Sequence, residues 1–142
     1  MTNQANAITQ KLFETTETFE TDTKSFIDSF DTNELLSFSN ADEKRKRLVG
    51  AYNVFSLTIK NHIETYEATI IKLSILICQT DIMCNVELTK KLASEFDRYS
   101  LFLGSVKLFV TNFETLLSKK DSSLTQATIL RYARELHTAL TN

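Results

Sequence analysis

Proline is absent from this chain of 142 residues, and glycine occurs only twice, as Gly50 and Gly104. Turns and sheet edges depend on these two residue types for backbone angles that other residues rarely adopt. A chain with so few of them has little means of reversing direction often. We therefore expect an all-α protein built from a few long helices.

Apolar residues recur every three or four positions along four segments, which is the spacing of helices with one buried face. This period near 3.5 is typical of helices that pack side by side at shallow angles. The sequence predicts an antiparallel, up-down-up-down four-helix bundle with a long central helical hairpin, in which residues 1–142 form a single domain. The first predicted helix covers about residues 4–30, and the second begins after residue 39 or 40 and continues to the first breaker at residue 79 or 80. The third runs from about residue 81 or 85 to 118, and the fourth follows a cap at residue 123.

The central hairpin of the second and third helices is longer than its two neighbours. If short connections join the helices, residue i of the first helix lies near residue 72 minus i of the second, and the fourth helix ends level with about residue 103. The hairpin tip, residues 70–92, would then be covered by neither outer helix. The apolar residues of the tip include Ile70, Ile71, Leu73, Ile75, Leu76, Ile77, Ile82, Met83 and Val86.

Leaving such side chains in water forgoes about 1.5–3 kcal/mol each, so we expect a partner to cover the tip. The alternative is that a central helix breaks near residues 79–85 and folds back, or that the first helix lies further along the second. The sequence thus predicts a non-catalytic interaction or scaffold subunit, either a homodimer or a member of a helical complex. A regulatory or immunity-type protein that neutralises one specific partner would use the same surface.

Four consecutive basic residues stand at the start of the second helix: Lys44, Arg45, Lys46 and Arg47. Consecutive helical residues sweep around the whole helix, so this basic turn should project beyond the core. One interpretation is that Asp28, Asp31 and Glu34 neutralise it across the connection. The other is an anionic partner, although the stacking aromatics and wide basic face of a nucleic-acid groove are missing.

Patterns for catalysis, a metal or a cofactor are absent from the sequence. Cys78 and Cys84 are too far apart for a CxxC pair, and with only His62 and His137 available a four-ligand zinc site is not expected. We expect two free, half-buried thiols. The most apolar run, residues 70–78, is too short to span a bilayer, and no signal sequence is evident, so we expect a cytoplasmic protein.

The segment RYARELH, residues 131–137, resembles the motif of HEPN-type helical ribonucleases, in which an arginine precedes a histidine by a few positions. Those enzymes are small four-helix bundles. The resemblance is confined to this segment, and Tyr132 stands where that family usually places a polar residue. It implies RNA cleavage that depends on His137. The alternative is that Arg134 and His137 form a solvated helix end that complements the C-terminal dipole.

Both glycines fall inside predicted helices, where each costs about 1 kcal/mol relative to alanine. We therefore expect a packing reason for each. The predicted register brings His62 close to Gly104 on the third helix. Gly50, followed by Ala51, indicates a close approach between helices.

Overall fold

The computed structural model describes residues 2–31, 41–118 and 126–141 of the chain. The four helices are α1 (Thr2–Asp31), α2 (Ala41–Ile82), α3 (Val86–Ser118) and α4 (Gln126–Thr141). Within the described ranges only residues 83–85 lie outside helices. Helix α1 packs against α2 and α4, and α2 packs against α3. The predicted all-α, antiparallel four-helix bundle with a long central hairpin is confirmed.

Aromatic rings stack on one another across the helices in the bundle interior. The rings of Phe26 and Phe55 stack with centroids 4.1 Å apart, and those of Tyr52 and Phe113 stack at 4.0 Å. Most of the apolar residues that recur at helical spacing are buried, whereas Ala127 at the start of α4 is exposed. These large rings bury much of the apolar area that holds the helices together.

Two threonines of α1, Thr15 and Thr23, lie in the core. The Thr15 hydroxyl donates to the carbonyl of Lys11 at 2.7 Å, and the Thr23 hydroxyl donates to that of Phe19 at 2.8 Å. A buried hydroxyl is tolerated when it has a hydrogen-bond acceptor, and the preceding helical turn supplies one. Threonine can therefore occupy core positions of α1.

The turn between α2 and α3 is closed without glycine. Cys84 adopts a left-handed conformation with a φ of 61°. The Asn85 N–H donates to the Thr80 carbonyl and the Cys84 N–H donates to the Asp81 carbonyl, both at 3.0 Å, which is the Schellman pattern of helix ends. The Asn85 side chain then accepts a hydrogen bond from the Leu88 N–H and caps α3. The third helix thus begins at the later of its two predicted starts, residue 85.

The register between α1 and α2 differs from the predicted one. Thr16 and Tyr66 share a hydrogen bond of 2.6 Å between their hydroxyl groups, and Phe26 stacks on Phe55. Residue i of α1 therefore lies near residue 82 minus i of α2, a shift of about ten residues or ~15 Å. The first turn of α1 reaches the level of the hairpin end, so the prediction that neither outer helix covers the tip is wrong.

The shift confirms the alternative in which the first helix lies further along the second. Helix α2 runs unbroken to Ile82, so no central helix folds back before that residue. The end of α4 agrees with its prediction, because Leu140 lines one groove together with Thr16 and Phe102. Beyond this level, toward the hairpin end, the described bundle consists of α1, α2 and α3 only.

Candidate protein interaction surface

The nine predicted tip residues separate into two groups. Leu73 and Leu76 are buried in the core of their own chain, and Ile70 and Ile77 pack partly against it. The first two are therefore not available to a partner. The remaining five are between 53% and 81% exposed: Ile71, Ile75, Ile82, Met83 and Val86.

The exposed isoleucines belong to a longer row of residues on the outer face of α2. Alternating steps of four and three connect ten exposed positions along this face, and eight of the ten are apolar, glycine or cysteine. We call this row the outer stripe; it consists of Gly50, Val54, Leu57, Asn61, Glu64, Ala68, Ile71, Ile75, Cys78 and Ile82. This is the spacing with which helices pack against one another in coiled coils.

The outer stripe lies opposite a second row with the same spacing on the inner face. Each residue of the outer stripe is two positions from a residue of the inner row, and two positions correspond to about 200° around a helix. The inner row faces the bundle core and comprises Leu48, Tyr52, Phe55, Ile59, His62, Tyr66, Thr69, Leu73, Leu76 and Thr80. Helix α2 is therefore apolar on two opposite faces, of which the chain itself buries one.

The outer faces of the other described helices carry fewer large apolar side chains. Phe13 is the one large hydrophobic residue exposed on the described part of α1, and beyond the exposed Val86 at its start α3 exposes Leu101 and Leu108. No large hydrophobic side chain of α4 is exposed within residues 127–141. A long exposed apolar row is thus a property of α2.

Matched ion pairs border the outer stripe on the side of α3. The Lys60 ammonium lies 3.4 Å from Glu114, and the Lys107 ammonium lies 2.8 Å from Glu67. All four side chains are about half exposed, so these pairs contribute little to stability. They do make this border electrically neutral.

A groove of about 480 Å³ borders the outer stripe on the side of α1. Ile8 and Ile75 contribute apolar side chains to its lining, which also includes Lys11 and Lys72. Ile75 belongs to both features, so the groove continues the stripe laterally. An apolar side chain with a neighbouring acidic group would suit this combination.

The basic turn contacts the end of α3. The Arg45 guanidinium donates a hydrogen bond of 2.8 Å to the carbonyl of Leu117, in the last turn of that helix. A cation at a helix C-terminus is favourable because the carbonyl groups there carry partial negative charge. Lys46 and Arg47 are exposed. The side chains of Lys44, Asp31 and Glu34 lie outside the described part, so the predicted neutralisation by those acids remains a prediction.

His62 and the glycines occupy other surroundings than predicted. The ring of His62 stacks on Phe19 at 4.8 Å, and its Nε2 lies 2.8 Å from the Asp22 carboxylate, so it packs against α1 rather than against Gly104. A Cβ atom on Gly50 or Gly104 would meet nothing within 4 Å. The expected close packing at both glycines is therefore wrong.

The two cysteines are free, as predicted, but both are exposed rather than half buried. Cys78 belongs to the outer stripe and Cys84 forms the turn after α2. Among the side chains that the structure describes, no three histidine, cysteine, aspartate or glutamate residues come together as a metal site. A helix long and apolar enough to cross a membrane is also not found in those ranges.

The segment that resembles the HEPN motif lies within the unbroken helix α4. The Arg131 side chain is exposed, with its guanidinium 5.3 Å from the centre of the Tyr132 ring. The His137 Nε2 is buried and lies 3.5 Å from the Glu20 carboxylate of α1. Six positions along a helix turn the side-chain direction by about 240°, so Arg131 and His137 point well apart. This arrangement gives no support to a shared catalytic site.

Comparisons of the chain with known protein families, with curated proteins and with solved structures find no significant match. The chemistry of the described surface is therefore the basis on which a function can be argued. Sequence reasoning found the hairpin end of that surface but missed its continuation to Gly50. The signal was present, because the same alternating spacing recurs two residues out of phase with the core positions.

Proposed function

We propose that this protein is a non-catalytic interaction subunit that binds a helix of a partner protein along the outer stripe of α2. The observation that carries the proposal is the row of ten exposed positions, of which eight are apolar or small, at coiled-coil spacing. A row of this length on a surface helix is unusual, because exposed helix faces normally carry polar residues. Burial against a second helix would remove its large aliphatic side chains from water.

Site-specific photo-cross-linking in the native cells tests the proposal. A photo-activatable amino acid in place of Ile75 should yield a discrete covalent adduct with a protein, and Ile71→Glu in the same chain should abolish that adduct. The matched control is the same amino acid in place of Asn112, an exposed polar position of α3. Absence of an adduct at position 75, or equal adducts at both positions, would contradict the proposal.

A second candidate is a regulatory protein that neutralises one specific partner. The groove beside the stripe favours it, because Lys11 and Lys72 line it together with apolar side chains and would select an acidic segment. Such a protein would be a monomer on its own, which light scattering of the purified chain would show. In either case we place the protein in the cytoplasm, where a reducing environment would keep exposed thiols such as Cys78 and Cys84 free.

A further inference from the structure

We propose that the helix bound along the outer stripe is α2 of a second copy of this chain, in antiparallel orientation about a two-fold axis near residue 66. This inference rests on the proposed function and specifies its partner. The stripe is apolar toward both ends and polar in the middle, at Asn61 and Glu64. A reversed copy places the apolar residues at one end, Gly50, Val54 and Leu57, against those at the other end of its partner, and Asn61 is the polar residue that then faces an apolar one, the partner's Ile71.

The antiparallel pairing matches the sizes of the side chains that face each other. Leu57 faces the partner's Ile75, and Val54 faces the partner's Cys78. At the ends of the stripe the smallest residue, Gly50, faces a large one, the partner's Ile82. Small residues opposite large ones let two helices interdigitate without voids.

The same reversal resolves the one acidic position of the stripe. In a parallel pair, Glu64 would face a second Glu64 directly, and two like charges in one seam repel. In the antiparallel pair, Glu64 faces the partner's Ala68, which leaves room for its side chain. The partner's Lys72 lies one turn further along, within reach of a glutamate carboxylate. The reversed copy thus supplies an opposite charge where a parallel copy supplies a like one.

The borders of the stripe are also compatible with a second copy. Near the proposed axis the two Glu67 side chains approach each other, and each already has the Lys107 ammonium at 2.8 Å. Further out, Lys60 is paired with Glu114. The α3-side borders that meet are therefore neutral, and the copies do not repel one another there.

The area available overlaps the range that stable dimers bury. Burial of a large aliphatic side chain is worth ~1.5–3 kcal/mol, which at ~25 cal/mol per Å² corresponds to ~60–120 Å² of apolar area. The five large aliphatic side chains of the stripe, counted in both copies, would bury ~600–1,200 Å² of apolar area. If ~65% of the interface is apolar, the total buried area is ~900–1,800 Å². Stable interfaces bury roughly 1,200–2,000 Å². The five residues are Val54, Leu57, Ile71, Ile75 and Ile82.

Disulfide trapping tests the arrangement. The parent variant is Cys84→Ser, which leaves Cys78 as the one thiol of the chain. Addition of Val54→Cys places a second thiol opposite the partner's Cys78, so mild oxidation should link the copies covalently. The matched control adds Asn61→Cys, whose thiol faces the partner's Ile71 instead. On non-reducing gels we expect the Val54→Cys chain to form dimers at least ~10-fold faster than the parent or the control.

Any other outcome of the disulfide trapping contradicts the proposed antiparallel dimer. Equally rapid linkage of the parent would mean that Cys78 faces Cys78, as in a parallel pair. Rapid linkage of the Asn61→Cys control would mean another register. If no variant is linked and light scattering gives the 16.2 kDa monomer at ~100 μM, the partner is not a second copy. The proposed function then stands only if position 75 cross-links to a different protein.

Sedimentation equilibrium provides a second measurement that does not depend on thiols. Ile71→Glu together with Ile75→Glu should raise the dimer dissociation constant ~100-fold or more, because two charges per copy would be buried in the seam. Leu101→Glu together with Leu108→Glu alters apolar residues of α3 that are at least as exposed and should leave the constant unchanged. Equal effects of both double variants would overturn the placement on α2. Circular dichroism confirms that each variant remains helical.

Discussion

The inner and outer faces of α2 carry apolar residues at the same alternating spacing, yet the chain buries only the inner one. The inner face contains Tyr52, Phe55 and Tyr66, all at most 4% exposed, whereas the outer stripe contains no aromatic residue. An aromatic side chain buries ~150–250 Å², more than an aliphatic one, and therefore takes precedence in a limited core. Spacing indicates that a face can be buried, and the size of its side chains indicates whether its own chain buries it.

The largest expected difference between the two faces is in the free energy of unfolding, when one aliphatic residue of each face is replaced by alanine. Leu73 is completely buried on the inner face, and Ile71 is 61% exposed on the outer one. Leu73→Ala should lower the free energy of unfolding by ~2–5 kcal/mol, because it removes core contacts and leaves a cavity. Ile71→Ala should change it by less than ~0.5 kcal/mol.

Urea unfolding at a protein concentration below the dimer dissociation constant provides the measurement. Low concentration is needed because association of the outer stripe would otherwise add to the stability of the parent chain. If the two variants lose similar amounts of free energy in the monomer, the difference between the two faces of α2 does not exist.

A smaller effect is expected from the ionisation of Tyr66 on the inner face. Burial raises the pKa of this tyrosine to about 12, although its hydrogen bond with Thr16 acts in the opposite direction. In the unfolded chain the hydroxyl ionises near pH 10. Between pH 10 and 12 the unfolded state therefore binds fewer protons than the folded state, and stability falls as the pH rises, by roughly 2–3 kcal/mol at most.

Chemical denaturation between pH 8 and 12 checks this dependence, with Tyr66→Phe as the control. The control should lose ~1 kcal/mol at pH 8, because it lacks the hydrogen bond with Thr16, and should show a weaker decline above pH 10. Burial also raises the pKa of Tyr52, so some decline should remain. An unchanged slope in the control would mean that Tyr66 does not contribute to it.

The fold could be predicted from the sequence because its main determinant is local. The lack of proline and the scarcity of glycine favour long helices, and the ends of α2 and α3 fall close to their predicted positions. The register of α1 could not be predicted in the same way, since it depends on which rings stack across helices. Phe26 meets Phe55 and Phe19 meets His62, and the length of the connection contains no information about either contact.

The candidate surface could be predicted only in part, for a related reason. The apolar residues near the tip were evident, but their division into buried and exposed depends on the register of α1. The contact between Arg45 and the Leu117 carbonyl joins residues 72 positions apart, and no local pattern indicates it. The outer stripe, in contrast, is a local pattern. It becomes visible when the spacing is examined on both faces of a predicted helix.

The smallest expected effect concerns the two glycines, which allow the outer faces of α2 and α3 to be compared by one substitution. Apart from its own helix backbone, neither has an atom within 4 Å of the place where a Cβ would stand, so Gly50→Ala and Gly104→Ala should each stabilise the monomer by ~0.5–1 kcal/mol. Thermal unfolding measures this gain. The two variants should differ in self-association, because in the proposed dimer only Gly50 faces the partner's Ile82, where an added methyl group would crowd the seam. A dimer weakened by Gly104→Ala but not by Gly50→Ala would move the interface from α2 to α3.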